Sequence, residues 1–167
     1  MPQREPLRAI RIVRADLDDT RHQAAVLEMT RAYARDPMGN GRDLSEDVQK
    51  TLVDGLRQHP TAVVFLALHQ DETVGIATCF VGFSTFAARP LVNIHDLHVA
   101  KDYRRRGIAR LLLEAVETEA RALGCCKLTL EVQEKNRTAQ ALYESFGFIG
   151  GQYQPEAGTV LFRQKKL

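Results

Sequence analysis

Residues 96–109, reading DLHVAKDYRRRGIA, constrain this chain more than any other stretch. An apolar run ends at Val99, a turn carries Lys101 and Asp102, and Arg104, Arg105 and Arg106 lead to Gly107. From there the spacing becomes helical. Ile108, Leu111, Leu112, Ala115, Val116, Ala120 and Leu123 recur three and four apart, with Arg110, Glu114, Glu117 and Arg121 on the opposite side. A strand thus feeds through a basic, glycine-containing turn into a helix N-terminus. The first backbone N–H groups of a helix have no partner within it and point outward, so the arrangement binds anions. The helix dipole adds about 0.3–1 kcal/mol. Gly107 lets the backbone come close to the anion, and the arginines raise the positive potential around it. Elsewhere, three arginines in a turn would read as a solvated surface. Here the glycine and the helix start directly behind them predict a phosphate site.

Composition narrows what that phosphate belongs to. The net charge is only +2, yet residues 101–110 hold five basic side chains against one aspartate, while Asp16, Asp18 and Asp19 cluster near the start. A nucleic-acid-binding module needs a broader basic face and base-reading residues, and neither is present. No apolar run approaches 18 residues and the N-terminus lacks a signal region, so the expectation is no membrane partner and a cytoplasmic protein. Cys79, Cys125 and Cys126 form neither a disulfide framework nor a metal spacing and read as small buried residues. His22, His59 and His69 are scattered, so no metal is expected. The 167 residues, 44% hydrophobic and 26% charged, suit one domain, 1–167, with a proper core.

In chain order, residues 8–14 alternate as a first strand, and 20–35 are helical until the Asp-Pro-Met-Gly-Asn-Gly run at 36–41. A second helix is expected over 45–58, with Ser45 as N-cap and Val48 where a capping box would need Glu. Residues 62–68 and 74–83 read as a hairpin joined by a longer polar loop, 69–72. In 91–99, Val92 and Ile94 share one phase of the alternation, whereas Leu97 and Val99 share the other. A β-bulge between Ile94 and Leu97 produces such a slip; burial on both faces, which empties phase of meaning, produces it too. Residues 127–132 alternate as a strand. Asn136 then caps a helix bearing Ala139, Leu142, Tyr143 and Phe146 on one stripe, and Gly147 suits its left-handed end. Residues 148–153 and 159–163 are expected to pair as the last strands. The order of elements gives an α/β or α+β fold with a mixed sheet.

Arg104-x-x-Gly107-x-Ala109 resembles the Arg/Gln-x-x-Gly-x-Gly/Ala signature of the GNAT superfamily of N-acetyltransferases. Asp96-Leu97-His98-Val99 and Tyr103 precede it, and Asn136-x-x-Ala139-x-x-Leu142-Tyr143 with Gly147-Phe148 follows, at the spacing the family shows. The resemblance implies a single GNAT-like domain whose mixed, mostly antiparallel sheet has about seven strands, flanked by about four helices and splayed at its centre. It favours the bulge, because acetyl-CoA would enter where the strands part. It implies that acetyl-CoA is held by backbone groups of Leu97 and Val99 at the thioester. Arg104, Arg105, Arg106, Gly107, Ile108 and Ala109 would hold the phosphates, with Asn136 and Tyr143 also at the cofactor. The activity implied is direct acetyl transfer to a small-molecule or peptide amine. A non-catalytic acyl-CoA-binding domain is the alternative, and a homodimer is left open.

An amine with a lysine-like pKa is almost wholly protonated at neutral pH, and freeing it costs roughly 4 kcal/mol. Such a transferase needs a proton route, for which His95, Asp96 and His98 are the candidates. Some polyamine-type relatives have Glu at the position matching His95, so the base is open between His95 and Asp96; Asp96 equally suits a purely structural role. Tyr143 is the family-matching group for the departing thiolate, although its place on the apolar stripe also suits packing. Capping alone explains Asn136. For the acceptor, Asp36, Asp43, Glu46, Phe83 and Phe86 offer acidic and aromatic groups suited to a cationic amine.

Overall fold

A computed structural model describes residues 10–150 and 162–167. They fall into two compact units, Met1–Gln133 and Glu134–Leu167. The first unit holds a five-stranded sheet in sequential order: β1 (Ile10–Arg14), β2 (Ala62–His69), β3 (Glu72–Ser84), β4 (Arg89–Val99) and β5 (Leu128–Leu130). The first three pairings are antiparallel and β4–β5 is parallel, so the sheet is mixed and mostly antiparallel as expected. Helices α1 (Thr20–Arg35), α2 (Glu46–Gln58) and α3 (Ile108–Ala122) belong to this unit, and α4 (Arg137–Phe146) to the second. Four helices match the expectation. The two further strands expected at the C-terminus lie almost wholly outside the described residues; Phe148, Ile149 and Gly150 are described and form no strand.

Helices α1 and α2 start where the sequence supplies a side-chain cap. Asp19 accepts from the Arg21 amide at α1, and Ser45 accepts from Val48 at 3.4 Å at α2. Gly39 fixes the turn after α1: a Cβ there would sit 2.0 Å from the Tyr33 carbonyl oxygen, so no other residue fits without rebuilding the turn.

The sheet is covered on both faces. Val26 and Met29 of α1 and Leu56 of α2 pack with Val64, Leu66 and Ile76 of β2 and β3 into one core. On the other face α3 buries Ile108, Leu112, Leu113, Val116 and Ala120, and Leu112 lies so close that a Cβ on Gly75 would meet it at 3.2 Å. Burial of each large side chain is worth about 1.5–3 kcal/mol. The α3 stripe differs from the expected one by rotation: Leu113 is fully buried, whereas Leu123 is 44% exposed and Leu111 half-buried. The three- and four-residue spacing holds; the face is set by where the sheet lies.

Two connections differ from expectation. The β2–β3 loop is a tight two-residue turn, because His69 pairs with Glu72 and Gln70 takes a left-handed φ of 54°. β5 spans three residues rather than six, because its partner β4 turns away beyond Ile94. Cys79 is buried, while Cys125 and Cys126 are only half-buried; all three thiols are free. Among the described residues, no helix is long and apolar enough to cross a membrane, and no group of metal-ligating side chains converges.

Candidate active site

β4 changes face in mid-strand. Val92 and Ile94 pair with Val81 and Cys79, on the side covered by α3. Register then shifts, so that Asp96 pairs with Thr78 and His98 with Ile76, leaving His95 as the additional residue. The bulge is real, and it lies inside the interval that the phase slip marks. Plain alternation would have put Asp96 and His98 beside Ile94 against α3. The inserted residue sends them to the α1 face instead, where His98 is buried with its ring 5.6 Å from that of Tyr33. His95 is exposed and meets Phe80 edge-on at 5.6 Å.

The same insertion re-aims the backbone. The Val92 amide donates to the Lys127 carbonyl on the β5 side, whereas the Ala100 amide donates to Val74 on the β3 side. Alternation back from Ala100 therefore turns the peptide groups of Leu97 and Val99 away from β3, toward the edge β5 has left. Among the described residues, no strand pairs with β4 on that side beyond Ile94. The expected splay exists, and the peptide groups of Leu97 and the Val99 amide line it, while the Val99 carbonyl accepts from Arg104 Nε at 2.9 Å.

β4 runs through a short 3₁₀ turn, Lys101–Tyr103, into the basic loop. Arg105 at φ 61° and Gly107 at φ 80° are left-handed, with Arg106 between them at negative φ. Such alternation gathers successive N–H groups on one concave side, an anion nest. It merges with the start of α3. The first helical hydrogen bond runs from Leu111 to the Gly107 carbonyl, so the amides of Gly107, Ile108, Ala109 and Arg110 precede the ladder. Ile108 is buried and pins the helix start in the core, and Ala109 is half-buried.

The three arginine side chains are not equivalent. Arg106 lies over the Tyr103 ring at 5.1 Å and donates to the Asp102 carbonyl at 2.9 Å. Tyr103 in turn donates to Glu72 at 2.7 Å, which fastens the loop to the β2–β3 turn. Arg104 donates to the Val99 carbonyl at 2.9 Å and to Asp36. Arg105 is exposed.

The electrostatics around β4 divide its candidates. Burial pushes His98 down to about 4, helped by the Arg104 charge and opposed by Asp36, so the ring is neutral at ordinary pH. Burial raises the Asp96 carboxyl, with His95 working against it. Burial and the Asp96 charge together push the Cys79 thiol up to about 12, so it is inert. Burial likewise raises Tyr33, with Asp96 and Asp36 adding to it. Two acids offered for the acceptor are already matched: Asp36 by Arg104, and Asp43 by Arg31 at 2.7 Å and Arg35 at 3.0 Å. Glu46 is exposed, and Phe83 and Phe86 stand out from the β3–β4 hairpin. Tyr33 is a residue of this face to which sequence reasoning assigns no functional role; its signal there is a place with Ala24, Leu27 and Ala34 near one face of the helical pattern over 20–35.

In the second unit, Asn136 caps α4 by accepting from Ala139 at 3.2 Å, and Gly147 ends it at φ 102°. Tyr143 is half-buried, with its ring 5.7 Å edge-on from Phe148 and its carbonyl accepting the Phe148 amide at 2.9 Å.

The first unit thus carries a mixed sheet parted at a bulge, with an anion nest at the next helix start. The chain belongs to the acetyltransferase (GNAT) family, whose model matches residues 26–148, and so most of the chain. It is similar to the N-alpha-acetyltransferase MAK3 of Arabidopsis thaliana, 38% identical over 51% of this chain and 44% of that protein. It is also similar to the ribosomal protein bS18-alanine N-acetyltransferase of Salmonella typhimurium, 41% identical over 39% of this chain and 47% of that protein. The chain thus spans about half the length of these relatives. A solved probable acetyltransferase shares the fold, with a TM-score of 0.78 at 23% identity over 93% of this chain and 99% of that one.

Proposed function

We propose that the chain is an acetyl-CoA-dependent N-acetyltransferase that moves the acetyl group directly to a primary amine. The observation that carries this reading is the continuity of the open β4 edge with the anion nest. The residues fit the ligand. The amides from Arg105 to Ala109 are disposed for a pyrophosphate, and the peptide groups of Leu97 and the Val99 amide for the polar end of the pantetheine arm. Acetyl-CoA supplies an activated acyl carbon and a thiolate leaving group. The amine must lose a proton as the C–N bond forms and the C–S bond breaks. His95, exposed on the bulge, and Asp96, whose carboxyl burial raises, are the groups for that proton; His98, buried against Tyr33, is the less accessible of the three. The family resemblance implies that Tyr143 hydrogen-bonds the departing sulfur. A tyrosine is a weaker acid than a thiol, so full transfer would be uphill by roughly 2 kcal/mol and a hydrogen bond is the better role.

The names of the similar proteins, an N-alpha-acetyltransferase and a ribosomal protein bS18-alanine N-acetyltransferase, support an amine acceptor. The three free thiols support a reducing, cytoplasmic setting.

The test is thiol release from acetyl-CoA across a panel of peptide and small-molecule amines. Turnover with at least one amine is expected, and Tyr143→Phe should lower it about 10- to 1,000-fold with little change in acetyl-CoA affinity. Binding without release from any amine would leave a binding-only domain instead.

A further inference from the structure

Arg104 opens the basic loop with 42% of its side chain exposed, yet its guanidinium is held by two acceptors of the protein. Nε donates to the Val99 carbonyl at 2.9 Å and Nη2 donates to Asp36 Oδ2 at 2.5 Å. Asp36 organises the turn that follows α1. Its amide donates to the Tyr33 carbonyl, its Oδ1 accepts from the Met38 amide at 2.8 Å, and its carbonyl takes the amides of Gly39 at 2.8 Å and Gly41 at 3.2 Å. The carboxylate is largely enclosed, with 13% of the side chain exposed. Burial opposes its charge, but Arg104 and the Met38 amide outweigh that and hold the carboxyl below the ordinary range. One planar fork thus joins the end of β4, the mouth of the anion nest and the turn after α1.

We propose that Arg104 is a positioning residue, not a phosphate ligand: it straps the α1–α2 turn to the nest, so that order in one supports order in the other. By thermodynamic reciprocity, filling the nest then firms the α1–α2 side of the sheet, and the converse holds. A lysine at this position keeps the charge but lacks the fork that reaches two acceptors at once.

Charge and strap predict opposite signs at Asp36. Removing a carboxylate beside an anion site should, by Coulomb attraction alone, tighten the anion, and would release Arg104 to bind it as well. Removing the anchor of a strap should weaken it.

Two measurements decide the matter. The first is hydrogen exchange on the ligand-free chain, reading bonded amides remote from each substitution. Arg104→Lys should speed exchange at Gly39, Asn40 and Arg42, and Asp36→Asn should speed it at Tyr103 and Arg104, by about threefold or more, with the interior of α3 at the parent rate. Parent rates at either remote segment would overturn the strap. If Asp36→Asn fails to fold, the lysine variant decides alone. The second measurement rests on the reading of the nest as the acetyl-CoA site. Both variants should raise the acetyl-CoA Kd several-fold, the double variant should be no worse than the weaker single one, and the KM for acetyl-CoA should rise more than kcat falls. Tighter binding by Asp36→Asn would make Arg104 a phosphate ligand and overturn the proposal. A parent chain that binds no acetyl-CoA would sink the functional reading, while the exchange data still judge the strap.

Discussion

His98 and Asp96 sit two residues apart on one face and titrate in opposite senses. The folded His98 ring stays neutral down to about 4, whereas in the unfolded chain it gains a proton near 6.5. Between those values the unfolded state binds more protons, so this contribution to stability is full above 6.5 and is lost as pH falls toward 4. At most it amounts to about 3 kcal/mol. Asp96 works the other way: its raised value means that its charge costs stability as pH climbs, so the two partly cancel in the parent. Denaturant melts of the parent and His98→Gln, from pH 7 to pH 4, should show a shallower decline in the variant; equal slopes would mean that the ring is protonated in the fold. The proton route is a separate question. If His95 is the base, His95→Ala should lose turnover, keep acetyl-CoA affinity and lose the low-pH limb of the rate profile. Asp96→Asn is the competing variant, and parent profiles in both would pass the proton to water.

At the scale of the element, if the nest and the start of α3 hold the anion through backbone amides as proposed, side chains and glycine should weigh differently. Arg105 is exposed, and charges of that kind are worth under about 1 kcal/mol each. Arg105→Ala should therefore weaken acetyl-CoA several-fold at most, and by less at high salt. Gly107 holds a left-handed φ of 80° and supplies an amide ahead of the helix ladder. Gly107→Val both strains that conformation and puts bulk where a phosphate must approach. It should raise the Kd at least tenfold, or about 1.4 kcal/mol, at any ionic strength. Calorimetry of both variants at two salt concentrations, with circular dichroism to confirm folding, ranks them. A larger loss from Arg105→Ala would make the site a charge patch.

For the molecule as a whole, a ligand that binds only the folded chain adds RT ln(1 + [L]/Kd), about 2.7 kcal/mol at a hundredfold excess over Kd. The melting temperature should therefore climb with acetyl-CoA concentration. A flat series up to millimolar ligand would count against the entire assignment. Gly107→Val should flatten the same series. A core substitution such as Leu112→Ala, which empties a fully buried site, should lower the starting Tm and leave the dependence on ligand intact.

Much of this was legible from residues alone, because the signals are local. Thr20 to Arg35 carries its own period, Ser45 and Asn136 mark their own helix starts, Gly147 marks its own left-handed end, and the phase slip at 94–97 records the bulge in the strand that contains it. The nest follows from the same short-range logic. Tertiary contact decided the rest. The stripe buried by α3 includes Leu113 and not Leu123 because the sheet, not the helix, fixes the angle of approach. β5 stops at Leu130 because β4 departs. The role of Arg104 was hidden for a plainer reason. In the sequence it is one of three like charges, and only the fold brings it to Asp36, 68 residues earlier, at a distance where partnership outweighs a share in the common positive field.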